Sequence, residues 1–174
     1  DVKISKVYCP IRASDDNQAL KRLVDALEEA GKWKESYRPR LVAFSANLEH
    51  KCLGVSQELH EELASVDAVY HFAASLNLAA NFEKMRKANC IPLKEVFRLC
   101  LTGQRKHLFL ASTLGVFPQY FCQFGNELAD KAIGRDVMPD IDLMKRILPL
   151  GIAGYAWSKL IMELAALELA KDIP

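Results

Sequence analysis

Four short runs of consecutive apolar residues alternate with longer segments in which apolar residues recur at helical spacing. The runs cover residues 4–11, 41–46, 68–73 and 107–111 and are rich in β-branched and aromatic side chains. Such runs are typical of strands that are buried on both faces. Because strand and helix alternate four times, the pattern predicts an α/β domain built on a parallel sheet with right-handed crossovers.

The helical segments have their own start and stop signals. Ser14-Asp15-Asp16 predicts the cap of a first helix that ends at Gly31. Further helices are predicted over residues 57–64, 82–100 and 155–171, and Pro92 should kink the third of these or mark its true start. Residues 115–154 are predicted to form a long irregular loop, and a loop of this length directly after a strand is commonly functional.

Composition narrows the class of protein. The chain has 174 residues, of which 51% are hydrophobic, so it can bury one sizeable core. A net charge of +1 argues against nucleic acid or an anionic membrane surface as the main partner. The chain has no apolar run long enough to span a membrane, and we expect a soluble, cytoplasmic protein.

Cysteine and histidine spacing indicates no metal site. The five cysteines form no C-x-x-C pair and lie mostly in apolar stretches, as expected of reduced core thiols. The four histidines show no metal-ligand spacing with one another or with the cysteines.

A doubly wound nucleotide-binding sheet opens with a strand and a glycine-rich turn of the G-x-G-x-x-G type, which the pyrophosphate approaches. None of the eight glycines forms that turn. Either the chain is not such a domain, or it begins after the first βα unit of one.

The most reactive arrangement in the sequence is a tyrosine and a lysine four residues apart. Tyr155 and Lys159 fall on one face of the last helix. A lysine ammonium favours the ionised form of a neighbouring phenol, so this tyrosine could exchange a proton with a carbonyl or alcohol oxygen. Ser112 and Thr113 follow the fourth strand, at the edge where open parallel sheets bind ligands, and a hydroxyl there could polarise the same oxygen.

This order of motifs resembles the extended short-chain dehydrogenase/reductase superfamily. Five segments narrow the resemblance to the thioester reductase domains of nonribosomal peptide synthetases and carboxylic acid reductases. These segments are VYCPIRA (7–13), ALKRL (19–23), DAVYHFAA (67–74), STLGVF (112–117) and GYAWSK (154–159). The resemblance implies that residues 1–174 are part of a Rossmann-like, NADP-binding domain with a doubly wound sheet and helices on both faces. That domain would be incomplete at both ends, lacking the glycine-rich turn and the C-terminal substrate subdomain, so the chain alone should be inactive.

In that family an acyl chain, held as a thioester on the phosphopantetheine arm of a carrier protein, is released as an aldehyde or alcohol by hydride transfer from NADPH. The resemblance implies that Thr113, or its neighbour Ser112, acts with Tyr155 and Lys159 as the catalytic group. It implies no metal, and an acyl or peptidyl carrier domain in the same polypeptide as the partner.

The resemblance also implies a set of cofactor contacts. Arg12 and Arg22 match two arginines that bind the 2′-phosphate of NADPH, a role suited to a forked guanidinium. The remaining contacts match the adenine site, the small residues beneath the cofactor and an asparagine that supports the lysine through water. They are Asn47 and Leu48, then Ala73, Ala74 and Ser75, then Asn89, together with Tyr155 and Lys159.

Three alternatives stay open at the level of the sequence. One is another extended short-chain reductase, such as a fatty acyl-CoA reductase, which would share Tyr155 and Lys159. Another is a domain that releases its product by non-reductive cyclisation, which the resemblance ties to loss of the tyrosine. The last is a non-catalytic nucleotide-binding scaffold, to which Asn47 in place of a usual aspartate and Pro92 in place of a usual glycine lend slight support.

Overall fold

The computed structural model describes residues 4–117, 140–147 and 153–171. The chain divides into two compact units. One comprises Asp1–Asp67 and Phe97–Lys106, and the other comprises Ala68–Val96 and His107–Pro174.

The first unit is built on a pair of parallel strands. Strand β1 (Val7–Ile11) pairs with β2 (Leu41–Ser45), with Val7 opposite Leu41 and Ile11 opposite Ser45. Helix α1 (Asp16–Glu29) connects them, and the Asp15 side chain accepts a hydrogen bond from the Gln18 N–H at 2.8 Å, which confirms the predicted cap. A 3₁₀ turn (Glu35–Arg40) leads into β2, and helix α2 (Gln57–Leu63) follows it.

The second unit contains another parallel pair and the helices that surround it. Strand β3 (Ala68–His71) pairs with β4 (His107–Leu110), with His71 opposite Leu110. The connection consists of helix α3 (Phe82–Met85), a π-helical turn (Arg86–Cys90) and helix α4 (Ile91–Leu101), whose residues from Phe97 onward belong to the first unit. Helices α5 (Ile141–Ile147) and α6 (Gly154–Lys171) come after β4. The predicted alternation of helices with parallel strands is therefore confirmed.

The strands are shorter than the apolar runs that predicted them. Their ladders end at Ser45, His71 and Leu110, and each pair is extended by one further backbone hydrogen bond. Ala46 N donates to Ile11 O at 3.0 Å, and Ala111 N donates to His71 O at 3.2 Å. The prediction that these strands are buried on both faces is wrong, because Phe44 and His71 are the only buried residues of the four described strands and Tyr70 is 62% exposed. Each strand ends where pairing ends.

The helix predicted over residues 82–100 is interrupted on the N-terminal side of Pro92. Proline has no N–H to donate and its ring crowds the carbonyl group four residues earlier, so a regular α-helical ladder cannot pass through it. The π turn (Arg86–Cys90) lies directly before the helix that contains Pro92 and provides the wider spacing. The irregularity predicted at Pro92 is therefore present as a π turn just before the helix that contains this proline.

The prediction of irregular structure over residues 115–154 is wrong for part of that segment. A 3₁₀ turn (Leu114–Val116) extends into it, and α5 forms because Asp140 Oδ1 accepts a hydrogen bond from Leu143 N at 2.8 Å, as a helix cap does. Ile141 of α5 packs against buried Val116 and Leu160. Residues 118–139 and 148–152 of the predicted loop lie outside the described residues.

Cys9, Cys52, Cys90 and Cys100 are partly buried, and Cys9, Cys90 and Cys100 are free thiols. Burial raises the pKa of Cys9, Cys90 and Cys100, which disfavours the reactive thiolate. The fifth cysteine, Cys122, lies outside the described residues.

Candidate active site

Lys159 lies in the interior of the second unit, held at the end of strand β4. Its residue is only 2% exposed, and its Nζ donates a hydrogen bond to the backbone oxygen of Ala111 at 2.7 Å. Burial lowers the pKa of Lys159, while Cys90 and Glu163 partly offset this effect. The helix thus delivers a buried amine to the residue that directly precedes Ser112 and Thr113.

Tyr155 lies beside this lysine on the first turn of α6. It is partly buried, and the Lys159 Nζ lies 6.0 Å from the centroid of its ring. The spacing of four residues therefore places the phenol and the ammonium on one face of the helix, as expected.

The turn after β4 brings Thr113 to the same part of the unit. Thr113 Oγ1 accepts a hydrogen bond from Gly115 N at 3.2 Å, so the hydroxyl proton can be donated to another acceptor. A Cβ atom on Gly115 would lie 3.3 Å from the Cβ of Ala156, which shows how closely the first turn of α6 packs on this turn. Ser112 is exposed, whereas Thr113 is partly buried.

Asn89 is 1% exposed and lies in the π turn. Its Oδ1 accepts a hydrogen bond from Ser75 N at 2.7 Å, and its Nδ2 donates to Ser75 O at 3.2 Å and to Ser158 Oγ at 2.8 Å. The Ser158 hydroxyl in turn donates to Tyr155 O at 2.7 Å. Asn89 therefore joins the segment after β3 to the helix that carries Tyr155 and Lys159, through direct contacts that the sequence analysis did not foresee.

Of the other residues predicted after β3, Ala73 is exposed and Ala74 is partly buried. They are followed by Ser75, whose backbone N–H and C=O groups both bind the Asn89 amide. This contact fixes the backbone of the segment without using any side chain within it.

The predicted phosphate-binding arginines meet at the end of β1 in the first unit. The Arg22 guanidinium donates a hydrogen bond to Arg12 O, and the exposed Arg12 guanidinium lies 3.7 Å from a Glu49 carboxylate oxygen. The Arg22 guanidinium thus contacts the backbone of Arg12, whereas the Arg12 guanidinium faces a carboxylate.

The predicted adenine contacts follow β2 in the first unit. Asn47 Oδ1 accepts a hydrogen bond from Glu49 N at 3.0 Å, and its Nδ2 lies 3.3 Å from His50 Nε2. The Asn47 side chain therefore stabilises the turn formed by the residues that follow it. Leu48 beside it is partly buried.

Sequence reasoning missed two residues of the second unit. Ser158 lies between Tyr155 and Lys159, where no pattern in the sequence marks it, and it contacts Asn89. His71 was considered only as a metal ligand, yet it ends strand β3, is 5% exposed and feels the positive charge of Lys159. The signal for His71 was a titratable residue inside an otherwise apolar strand.

Over its full length, residues 1–174, the chain matches the family described as "Male sterility protein", a family of NAD-binding domains. It belongs to that family. The L-2-aminoadipate reductase large subunit of Eremothecium gossypii is 31% identical over 159 residues, which cover 90% of this chain and 11% of that protein. The nonribosomal peptide synthetase asaC of Aspergillus flavus is 30% identical over 176 residues, which cover 98% of this chain and 16% of that protein.

Among solved structures, the terminal R domain from the myxalamid PKS-NRPS biosynthetic pathway superposes with a TM-score of 0.73 at 26% identity. The match covers 95% of this chain and 39% of that R domain. The resemblance to reductase domains of nonribosomal peptide synthetases and the Rossmann-like α/β fold class are therefore confirmed. This member of the male sterility protein family spans only a small part of the relatives that it matches.

Within residues 4–117, 140–147 and 153–171, no three His, Cys, Asp or Glu side chains are grouped to hold a metal ion. None of the described helices is both long and apolar enough to cross a membrane.

Proposed function

We propose that this chain provides nucleotide-binding and catalytic residues of an NADPH-dependent reductase that releases a carrier-bound acyl or peptidyl thioester as an aldehyde. A second reduction would give the alcohol. The observation that carries this proposal is the buried Lys159, which lies beside Tyr155 and is hydrogen-bonded to the carbonyl group preceding Ser112 and Thr113. A scaffold gains nothing from a buried lysine at this position, because burying an amine is costly.

The donors in the chain suit a nicotinamide cofactor with a 2′-phosphate. The Lys159 ammonium has three N–H donors, of which one is used by Ala111 O, and a ribose hydroxyl group would accept another. Arg12 and Arg22 offer forked guanidinium groups at the end of β1, which suit a phosphate. Asn47, Leu48, Ala73, Ala74, Ser75 and Asn89 complete the proposed contacts.

The mechanism uses the hydroxyl groups as proton and hydrogen-bond donors. A bound nicotinamide cofactor supplies the hydride. Thr113, or Ser112 beside it, donates a hydrogen bond to the thioester oxygen and stabilises the negative charge that develops there. Tyr155 provides the second hydrogen-bond donor to the thioester oxygen. It can also exchange its proton with that oxygen, and the Lys159 ammonium favours this exchange. Collapse of the tetrahedral intermediate breaks the C–S bond, and the carrier thiolate leaves and takes up a proton.

The names of the relatives support the setting in which this reaction would occur. Relatives include nonribosomal peptide synthetases and L-2-aminoadipate reductases, proteins much longer than this chain. We infer that the partner is an acyl or peptidyl carrier domain in the same polypeptide, that its phosphopantetheine arm presents the substrate, and that the reaction takes place in the cytoplasm.

The proposal is tested by NADPH oxidation with the full-length polypeptide that contains this chain. We expect NADPH consumption and aldehyde formation with an acyl thioester on a phosphopantetheinylated carrier, and much slower turnover with the same acyl group on coenzyme A. Faster turnover with the coenzyme A thioester would favour a fatty acyl-CoA reductase. Binding of NADPH with no reduction of either thioester would instead indicate a scaffold.

Replacing Arg12 by alanine is expected to weaken NADPH binding about 10- to 100-fold, because a hydrogen bond to a charged group contributes about 1.5–3 kcal/mol. NADH has no 2′-phosphate, so its dissociation constant should change little. Fluorescence titration with both cofactors measures the ratio. Arg38→Ala is a matched control, because Arg38 is also an exposed arginine of the first unit paired with a glutamate. An equal loss of affinity for NADPH and NADH in Arg12→Ala would contradict the assignment.

A further inference from the structure

The imidazole of His71 is buried without a hydrogen-bond partner on one nitrogen. His71 is the last residue of β3 and is 5% exposed, and its Nε2 has no partner among the described residues. Buried polar side-chain atoms are nearly always paired with protein or ordered water. An unpaired nitrogen in the interior of a catalytic unit therefore requires an explanation.

Two hydrogen bonds tie His71 to the catalytic lysine through one residue. Ala111 N donates to His71 O at 3.2 Å, and Ala111 O accepts from Lys159 Nζ at 2.7 Å. The backbone of His71 and the ammonium of Lys159 thus both contact Ala111, and both side chains are nearly excluded from solvent.

The charge state of His71 makes it an acceptor. Burial, followed by the positive charge of Lys159, lowers the pKa of His71, so the imidazole is neutral near neutral pH. A neutral imidazole carries one nitrogen lone pair that can accept a hydrogen bond. The other titratable groups that act on Lys159 are Cys90 from the π turn and Glu163 from α6. Since burial raises the pKa of Cys90, that thiol stays neutral.

We propose that His71 is a positioning residue that keeps Lys159 charged, by accepting at Nε2 a hydrogen bond from a water molecule that the ammonium also binds. Water relays of this kind are nearly as favourable as direct hydrogen bonds. The proposal rests on the proposed function, because the charged lysine is the group that would hold the cofactor ribose and assist Tyr155. His71 would thereby help to set the pH range over which the cofactor binds and over which Tyr155 exchanges its proton.

The test measures the pH dependence of the NADPH dissociation constant and of the turnover number in the full-length polypeptide. In His71→Leu, the ammonium loses its acceptor and Lys159 deprotonates at a lower pH. The pH above which NADPH affinity is lost and the pH above which the turnover number falls should therefore both decrease by about one pH unit. At pH values between the alkaline limits of the two proteins, the turnover number of His71→Leu should be about tenfold lower than that of the wild type.

His71→Gln is the rescue variant, because its side-chain oxygen can accept the same hydrogen bond, and its profile should lie near that of the wild type. His71→Met replaces His71→Leu if the latter does not fold. Superimposable profiles for the wild type and the apolar variant would overturn the proposal, and so would a shift in His71→Gln as large as that in His71→Leu. A wild type that binds NADPH but reduces no thioester would refute the proposed function alone, since the binding profiles still test His71.

Discussion

Replacing Tyr155 by phenylalanine should reduce the turnover number for thioester reduction about 10²- to 10⁴-fold, the contribution typical of a positioned general acid or base. The substitution removes only the hydroxyl group. The ring that lies 6.0 Å from the Lys159 Nζ is retained, and so is the Tyr155 backbone oxygen that accepts the hydrogen bond from Ser158. NADPH affinity should therefore be nearly unchanged, and the loss should fall on the chemical step.

The matched control is Tyr70→Phe in the same unit. Tyr70 is 62% exposed and stacks on Phe109 with a centroid distance of 4.4 Å, a contact that phenylalanine preserves. Its turnover should equal that of the wild type. A Tyr155→Phe variant that keeps the wild-type turnover number would refute the mechanism, whereas a variant that loses NADPH binding as well would assign Tyr155 to the cofactor site.

Replacing Gly154 by alanine should destabilise the start of α6 by about 1–3 kcal/mol or more, because overpacking against a rigid neighbour forces the backbone to move. A Cβ atom at this position would overlap Ala80 O and would lie 2.6 Å from Asn81 C and 2.7 Å from Phe82 N. All three obstacles are backbone atoms, so no side-chain rotation can relieve the contact. Since Tyr155 is the next residue, turnover should fall together with stability.

Hydrogen–deuterium exchange of the full-length protein, read on peptides from α3 and α6, measures this local effect. Gly115→Ala is the control, because its new Cβ would meet only the Ala156 Cβ at 3.3 Å and the Thr113 side chain beyond it. Exchange in α6 should accelerate strongly in Gly154→Ala and much less in Gly115→Ala. Equal exchange in both variants would be incompatible with the close approach of α6 to the start of α3.

Local signals in the sequence predicted the elements of this fold well. The Asp15 cap, the apolar strand runs and the effect of Pro92 depend on residues within a few positions of one another, and each appears where it was expected. Helix α5 was missed because its cap, Asp140, lies in a stretch predicted to be irregular, where an aspartate fits a polar turn as well as a helix cap. A polar turn and a helix cap both use an aspartate side chain in the same way. The helix is stabilised in addition by packing of Ile141 on the core of the second unit, which the local sequence does not show.

The site was predictable only in part, for a physical reason. The spacing of Tyr155 and Lys159 is a helical repeat, so their shared face follows from the sequence. The contacts of Asn89 with Ser158 and of Lys159 with Ala111 join residues 69 and 48 positions apart, and no local pattern encodes them. Burial of His71 beside Lys159 has the same non-local origin.

The hydrogen bonds of Asn89 also determine which positions natural selection can vary independently. The side-chain amide of Asn89 binds only backbone atoms of Ser75. Selection at position 75 therefore acts on the backbone conformation and tolerates many side chains. The contact of Asn89 with Ser158 uses both side chains, so loss of either one removes a hydrogen bond from a buried polar group of the other. The effects of substitutions at positions 89 and 158 should therefore depend on each other, unlike those at position 75.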